Sequence, residues 1–244
     1  MAIIGKDEFS MPITKERLKK TTLAAIPTVI YGIIYVLWFN YIEKRDVVHF
    51  TEMHTSLDDK IPFLEIFVIP YFFWFFMVLF CVVFPLFKFE LEDYWRFITF
   101  LGFGMTLFLV LSTLFPTIQY LRPSTMPRDN FFCDFVEFFY RHDTPTNVFP
   151  SMHVYNAVGA AISIYYSRRI NKNGKAFGIV AAILIVLSTM FIKQHSVIDV
   201  VGALVLDIFS YYVFYKSDSV LNVIRKLGLL DPLPDSAPQR LFVK

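Results

Sequence analysis

The sequence predicts an all-α, polytopic membrane protein, a bundle of six transmembrane helices. Three observations carry that prediction. Hydrophobic residues make up 56% of the 244-residue chain and charged residues only 18%, against roughly 45–50% and 25% in soluble domains. The mean hydropathy is +0.53. The apolar residues gather in six runs, most of them near the 20 or so residues that a helix needs to cross a bilayer core of about 30 Å. The net charge of +2 is too small to suggest a nucleic acid partner.

Each run has its own signature. The first, 22–41, follows about twenty mostly polar residues and is of full span length. It reads as a retained helix, because a cleavable signal has an apolar core of only about 7–15 residues. The second, 63–87, is the aromatic-rich FLEIFVIPYFFWFFMVLFCVVFPLF. The third, 96–118, ends at Pro116. The fourth, 152–167, is short and carries Ala157, Gly159, Ala160 and Ala161. The fifth and sixth, 176–193 and 197–215, are apolar, and Gly202 and Ala203 in the sixth allow close helix packing in lipid. The chain thus divides into an N-terminal segment 1–21, a transmembrane domain 22–215 and a tail 216–244. The tail opens on the amphipathic stretch SVLNVIRKLGLL, expected on the membrane surface.

Between the runs, residues 41–61 read as a solvated polar loop, and 119–150 as a long loop, a length that is often functional. Cys81 lies in an apolar run and Cys133 in the long loop, so no disulfide is expected between them. Six spans put both termini on one side. Sixteen of the 23 Lys and Arg fall on the side of the termini and seven on the other. The positive-inside bias therefore places the termini in the cytoplasm. It puts the 119–150 loop and the turn around His195 on the extracytoplasmic face.

Three clusters of polar residues fall on that face. They are YLRPSTMPRDN at 120–130, FPSMHV at 149–154 and KQHSVIDVVG at 193–202. Ionisable groups at membrane helices are costly enough to suggest function. His195 and Asp199, at i and i+4, lie on one helix face. The carboxylate can hold one ring nitrogen as N–H and leave the other free to attack. His153 offers a second acid–base group. Arg122 presents a planar fork for phosphate oxygens. Ser151 is a plausible N-cap for the fourth span, and the amides of a helix N-terminus bind anions. This set reads as a phosphoryl-transfer site. Two His and one Asp also suit zinc. Yet there is no H-E-x-x-H, and zinc would not call for Arg and Lys beside it, so neither metal nor cofactor is expected.

The order Arg-Pro, Pro-Ser-x-His, His-x-x-x-Asp resembles the type 2 phosphatidic acid phosphatase superfamily, whose pattern is K-x6-R-P, P-S-G-H and S-R-x5-H-x3-D. Arg122 and Pro123 match the end of the first motif. Pro150, Ser151 and His153 match the second, and Ser188, His195 and Asp199 the third. Phe115, Met152 and Thr189 stand where the family has Lys, Gly and Arg. Lys193 and Arg128 are the candidates to replace the missing cations. The stretches DTPTNVFPSMHV and KQHSVIDVVG resemble the branch that includes inositol phosphorylceramide synthases.

The resemblance implies a six-helix fold and a lipid phosphate substrate. It implies His195 as nucleophile, Asp199 as its orienting partner and His153 as general acid. Arg122, Ser151, Lys193 and Arg128 would bind the phosphate. Hydrolysis and transfer of a head group to an alcohol share this chemistry, so both stay open. A transporter or lipid-binding scaffold is the third reading, although transporter sites usually sit near the midplane.

Overall fold

The computed structural model describes residues 14–231. The first thirteen residues and the Pro-rich end of the tail lie outside the described residues. Eight helices follow one another: α1 (Lys15–Lys44), α2 (Val68–Phe87), α3 (Leu91–Leu114), α4 (Phe131–His142), α5 (Met152–Tyr166), α6 (Lys172–Phe191), α7 (Val197–Tyr211) and α8 (Ser219–Lys226). Two short strands, β1 (Thr51–Glu52) and β2 (Thr117–Ile118), pair in parallel.

Five stretches, containing α1, α2, α3, α6 and α7, are long and apolar enough to cross a membrane. The sixth bundle helix, α5, has 15 residues, or about 22 Å at 1.5 Å per residue. It is the central one, packed against α2, α3, α6 and α7. Small residues let its neighbours approach. Gly104 of α3 lies under the Tyr155 ring, and Gly159 of α5 lies under Phe100. The Tyr155 hydroxyl donates to the Phe100 carbonyl at 2.8 Å and meets Ser210 Oγ at 2.9 Å, which ties α5 to α3 and α7. Cys81 and Cys133 are buried free thiols.

The helices alternate in direction, so the bundle has two ends of different character. One end joins α3 to the C-terminal region. Buried Arg96 donates to the Phe214 carbonyl at 2.8 Å and pairs with Asp218. Here α8 buries Leu221 and Ile224 against Tyr94 and Trp95, so half of the amphipathic tail stretch docks on protein. The other end gathers the end of α1, the starts of α2, α5 and α7, and the loops that join them.

Three elements differ from the sequence expectation. Helix α1 begins at Lys15 rather than 22, because Lys, Glu and Leu are good helix formers and Glu16 pairs with Lys20 one turn on, at 3.3 Å. The long loop contains α4, capped by Asn130, whose Oδ1 accepts from the Phe132 and Cys133 amides at 3.0 Å each. Cys133, Val136 and Phe139 of α4 face inward, while Phe131 and Phe138 are exposed. The 41–61 segment is not wholly solvated. Its strand β1 pairs Thr51 with Thr117, and Asp58 is 2% exposed.

Candidate active site

The two histidines meet at this loop-rich end. Helix α6 stops where Lys193 takes a left-handed backbone angle (φ 54°). The amides of Gln194 and His195 then donate to the Thr189 carbonyl at 2.9 and 3.0 Å. This turn delivers His195 just before α7. There Ser196 and Asp199 form a capping box, with Asp199 Oδ2 accepting from the Ser196 amide at 2.9 Å. The same carboxylate oxygen lies 3.4 Å from His195 Nδ1, while its Oδ1 has no partner among the described residues. His195 lies outside the helix, so the capping box rather than helical periodicity brings it to Asp199, which does double duty as cap and imidazole partner.

His153 lies in the first turn of α5. Ser151 caps that helix, its Oγ accepting from the Val154 amide at 3.3 Å, and its own amide donates to the Asp199 carbonyl at 3.2 Å. That last bond locks the second motif against the third. As a result His153 Nδ1 stands 3.3 Å from His195 Nε2, and Asp199, His195 and His153 form one line. Trp74 and Tyr71 of α2 wall the His153 ring, each with its centroid 4.7 Å away.

The structure sorts the phosphate-binding candidates. Arg122 comes to the site. It donates to Gln194 Oε1 at 2.5 Å, to the Asp143 carbonyl at 2.8 Å and to the Tyr140 carbonyl at 3.2 Å, and its guanidinium lies over the Tyr140 ring. Its buried Nε has no partner among the described residues. Lys193 is not brought to the histidines. Its ammonium donates to the carbonyls of Asp58 and Ile61 at 2.8 and 2.6 Å. Arg128 is not brought there either. It forms a two-pronged pair with Glu65 at 2.6 and 2.5 Å, and its side chain is half exposed. Both cations have strong local partners, as Arg122 does. Ser188 and Thr189 turn inward, their hydroxyls donating to the Ile185 and Val186 carbonyls of α6.

Four residues outside the motifs build the rest of the site. Asp58 accepts from the Ser196 hydroxyl at 2.6 Å and the Val197 amide at 2.8 Å, and from the Thr55 amide at 2.7 Å. It thereby caps α7 from another segment. Burial alone would raise the Asp58 carboxyl, but these hydrogen bonds outweigh it and hold the group below its ordinary range. Asp143 has the opposite balance. Burial pushes its carboxyl above the ordinary range, against the pull of His195 and Arg122. Tyr71 and Gln194 complete a network with Asp143 beside His153. Of these, Gln194 and Asp143 sit within stretches that carry the resemblance, though neither is a motif position. Tyr71 is one of 13 tyrosines, and nothing in an aromatic span marks its hydroxyl. Asn147 anchors the approach to Ser151, with its Nδ2 donating to Glu43 at 2.6 Å and its amide to Thr117 at 2.6 Å.

An apolar groove of about 480 Å³ between α5, α6 and α7, lined by residues such as Ile162, Tyr166 and Leu204, contains none of these residues. Among the described residues, no three His, Cys, Asp or Glu side chains converge as metal ligands.

The arrangement can hold a nucleophilic imidazole, a second imidazole for proton transfer and a guanidinium in a largely desolvated site. Comparison with known proteins gives one family match, the PAP2 superfamily, over residues 94–221. No curated protein and no solved structure matches the chain.

Proposed function

The chain belongs to the PAP2 superfamily, and from that premise we propose that it is a metal-independent lipid phosphate phosphatase acting through a phosphohistidine. The observation that carries the reading is the line Asp199–His195–His153, with the two ring nitrogens 3.3 Å apart. Asp199 holds Nδ1–H of His195, which leaves Nε2 as the attacking lone pair. His195 Nε2 forms a bond to phosphorus as the bond from phosphorus to the lipid oxygen breaks. His153 gives its proton to the departing alkoxide, then takes one from water, whose oxygen attacks phosphorus and frees His195. The phosphoryl group enters between the two rings, whose facing nitrogens lie 3.3 Å apart. Arg122 and the α5 N-terminus beside Ser151 stabilise the charge on the phosphoryl oxygens, the largest contribution in this chemistry. Lys193 and Arg128 serve the scaffold.

A lipid substrate agrees with the location of the site. The histidines open at one end of a membrane bundle, so acyl chains can remain in the bilayer while the head group enters. The Lys and Arg bias assigns that end to the extracytoplasmic side of a plasma or inner membrane, with both termini in the cytoplasm. Transfer to an alcohol acceptor is the second reading. The observation favouring it is that His195 is only 7% exposed, which limits access of water.

Purified protein in detergent, given phosphatidic acid and a chelator, should release phosphate. His195→Ala and His153→Ala should each abolish release, and full activity in either variant would sink the assignment. A lipid product that forms only when an alcohol acceptor is added would select transfer over hydrolysis.

A further inference from the structure

Tyr71 belongs to no motif, yet it is the most connected neighbour of His153. It is 1% exposed. Its hydroxyl lies 2.9 Å from His153 Nε2, 3.3 Å from Asp143 Oδ2 and 3.3 Å from Gln194 Nε2. The proton positions follow from the partners. Arg122 can only donate, so it fixes Gln194 Oε1 as the acceptor and turns Gln194 Nε2 toward Tyr71. That amide occupies one lone pair of the Tyr71 oxygen. One lone pair and one proton remain for His153 and Asp143.

Two arrangements satisfy every group. In the first, Asp143 is protonated and donates to Tyr71, Tyr71 donates to His153 Nε2, and neutral His153 carries its proton on Nδ1. In the second, Tyr71 donates to the Asp143 carboxylate, and His153 is an imidazolium that donates from Nε2 to Tyr71. They differ by two coupled proton shifts. The Asp143 O–H breaks as a new O–H forms on Tyr71, and the former Tyr71 O–H breaks as an N–H forms on His153 Nε2. No proton enters or leaves. The second arrangement aims a positive Nδ1–H at the side of the phosphoryl group opposite His195 Nε2, from which the leaving oxygen must depart.

We propose that Tyr71 is a positioning residue that links His153 to Asp143 as a proton relay. Asp143 supplies the proton that His153 gives to the leaving group, and takes one back when His153 deprotonates the incoming hydroxyl. The inference rests on the phosphohistidine reading of the site. Burial raises the Asp143 carboxyl above its ordinary range, the direction that makes it the better proton donor. The Arg122 guanidinium, which holds the Asp143 main-chain carbonyl at 2.8 Å, stabilises the carboxylate formed on transfer. The other charged or titratable groups around the pair are His195, with Asp199 beside it, Tyr140 and Tyr35, with Glu43 acting on Arg122 from α1.

The test uses two substrates that differ in their need for a proton. An alkyl lipid phosphate needs general acid help, worth roughly 10²–10⁴-fold. The aryl oxide of p-nitrophenyl phosphate leaves without it. For Tyr71→Phe, the ratio of lipid to aryl turnover should fall at least tenfold, with a changed pH profile for the lipid alone. Asp143→Asn should give the same fall, and the double variant no more than either single one. An equal loss on both substrates would reduce Tyr71 to a packing role and overturn the relay. The ¹⁵N spectrum of the histidine rings provides a reading independent of turnover. Tyr71→Phe and Asp143→Asn should both shift the His153 ring nitrogens, and unchanged signals would overturn the relay. Wild-type protein that turns over neither substrate would count against the phosphohistidine reading, and the ring spectra would still decide the relay.

Discussion

Asp58→Ala should loosen the segment that carries His195. The carboxylate accepts from the Ser196 hydroxyl and the Val197 and Thr55 amides at 2.6–2.8 Å, and from the Thr55 hydroxyl at 2.9 Å. Loss of an N-cap costs about 1 kcal/mol, and each buried donor left unsatisfied costs roughly 1–3 kcal/mol. Thr55 is only partly buried and can turn to water, so the cost falls mainly on Ser196 and Val197. The total is about 2–4 kcal/mol, or a fall in Tm on the order of 5–15 °C for a chain of this size. Turnover should fall further than stability explains, because a 1 Å displacement of a reacting group can cost about 10²-fold. Asp58→Asn keeps one acceptor and should lie between.

The pH dependence has a definite sign. A carboxyl held below its ordinary value of 3.8 stabilises the fold above that value, and the contribution is lost as pH falls through the lower folded value. The gap between wild type and Asp58→Asn should therefore narrow below about pH 4. Thermal unfolding in detergent, paired with turnover well below the Tm, checks both. An Asp58→Ala protein with unchanged Tm and turnover would refute the clamp.

Three further outcomes follow from the same geometry. Arg128→Ala removes a half-exposed ion pair, so stability should change by about 0–1 kcal/mol and lipid phosphate turnover by less than twofold; a tenfold loss would return Arg128 to the site. Arg122→Lys cannot reproduce the fork that reaches Gln194, Tyr140 and Asp143 together, so turnover should drop at least tenfold, with the larger part in kcat. Gly104→Ala would drive a methyl group into the Tyr155 ring, which its hydrogen bonds hold in place. Overpacking of this kind costs about 1–3 kcal/mol, visible as a lower Tm.

The helices that span a bilayer were legible because hydropathy is a sum over many residues and survives local error. The pairing of His195 with Asp199 was legible as an i, i+4 spacing, but its cause differs: His195 precedes α7, and the Ser196–Asp199 capping box turns the carboxylate back toward it. Helix α4 did leave a signal, which the flanking Pro and Asp residues masked: Asp134, Glu137 and Arg141 recur on one face of FFCDFVEFFYRH, and Asn130 marks its start. Asp58 and Tyr71 were hidden for a different reason. Each reaches its partner across more than 80 residues of sequence, and no local pattern records which loop folds over which helix. Lys193 and Arg128 show the converse. Their charge was visible, but the carbonyls and the carboxylate that engage them belong to segments distant in sequence.

The central claim is a covalent bond between phosphorus and His195. The direct measurement is rapid quenching of the purified protein during turnover of ³²P-labelled lipid phosphate, followed by peptide mapping. The label should be acid-labile and base-stable, should map to His195, should be absent in His195→Ala and should accumulate in His153→Ala with an activated aryl phosphate. Steady phosphate release by wild-type protein with no trapped label, or a label on any other residue, would contradict the account.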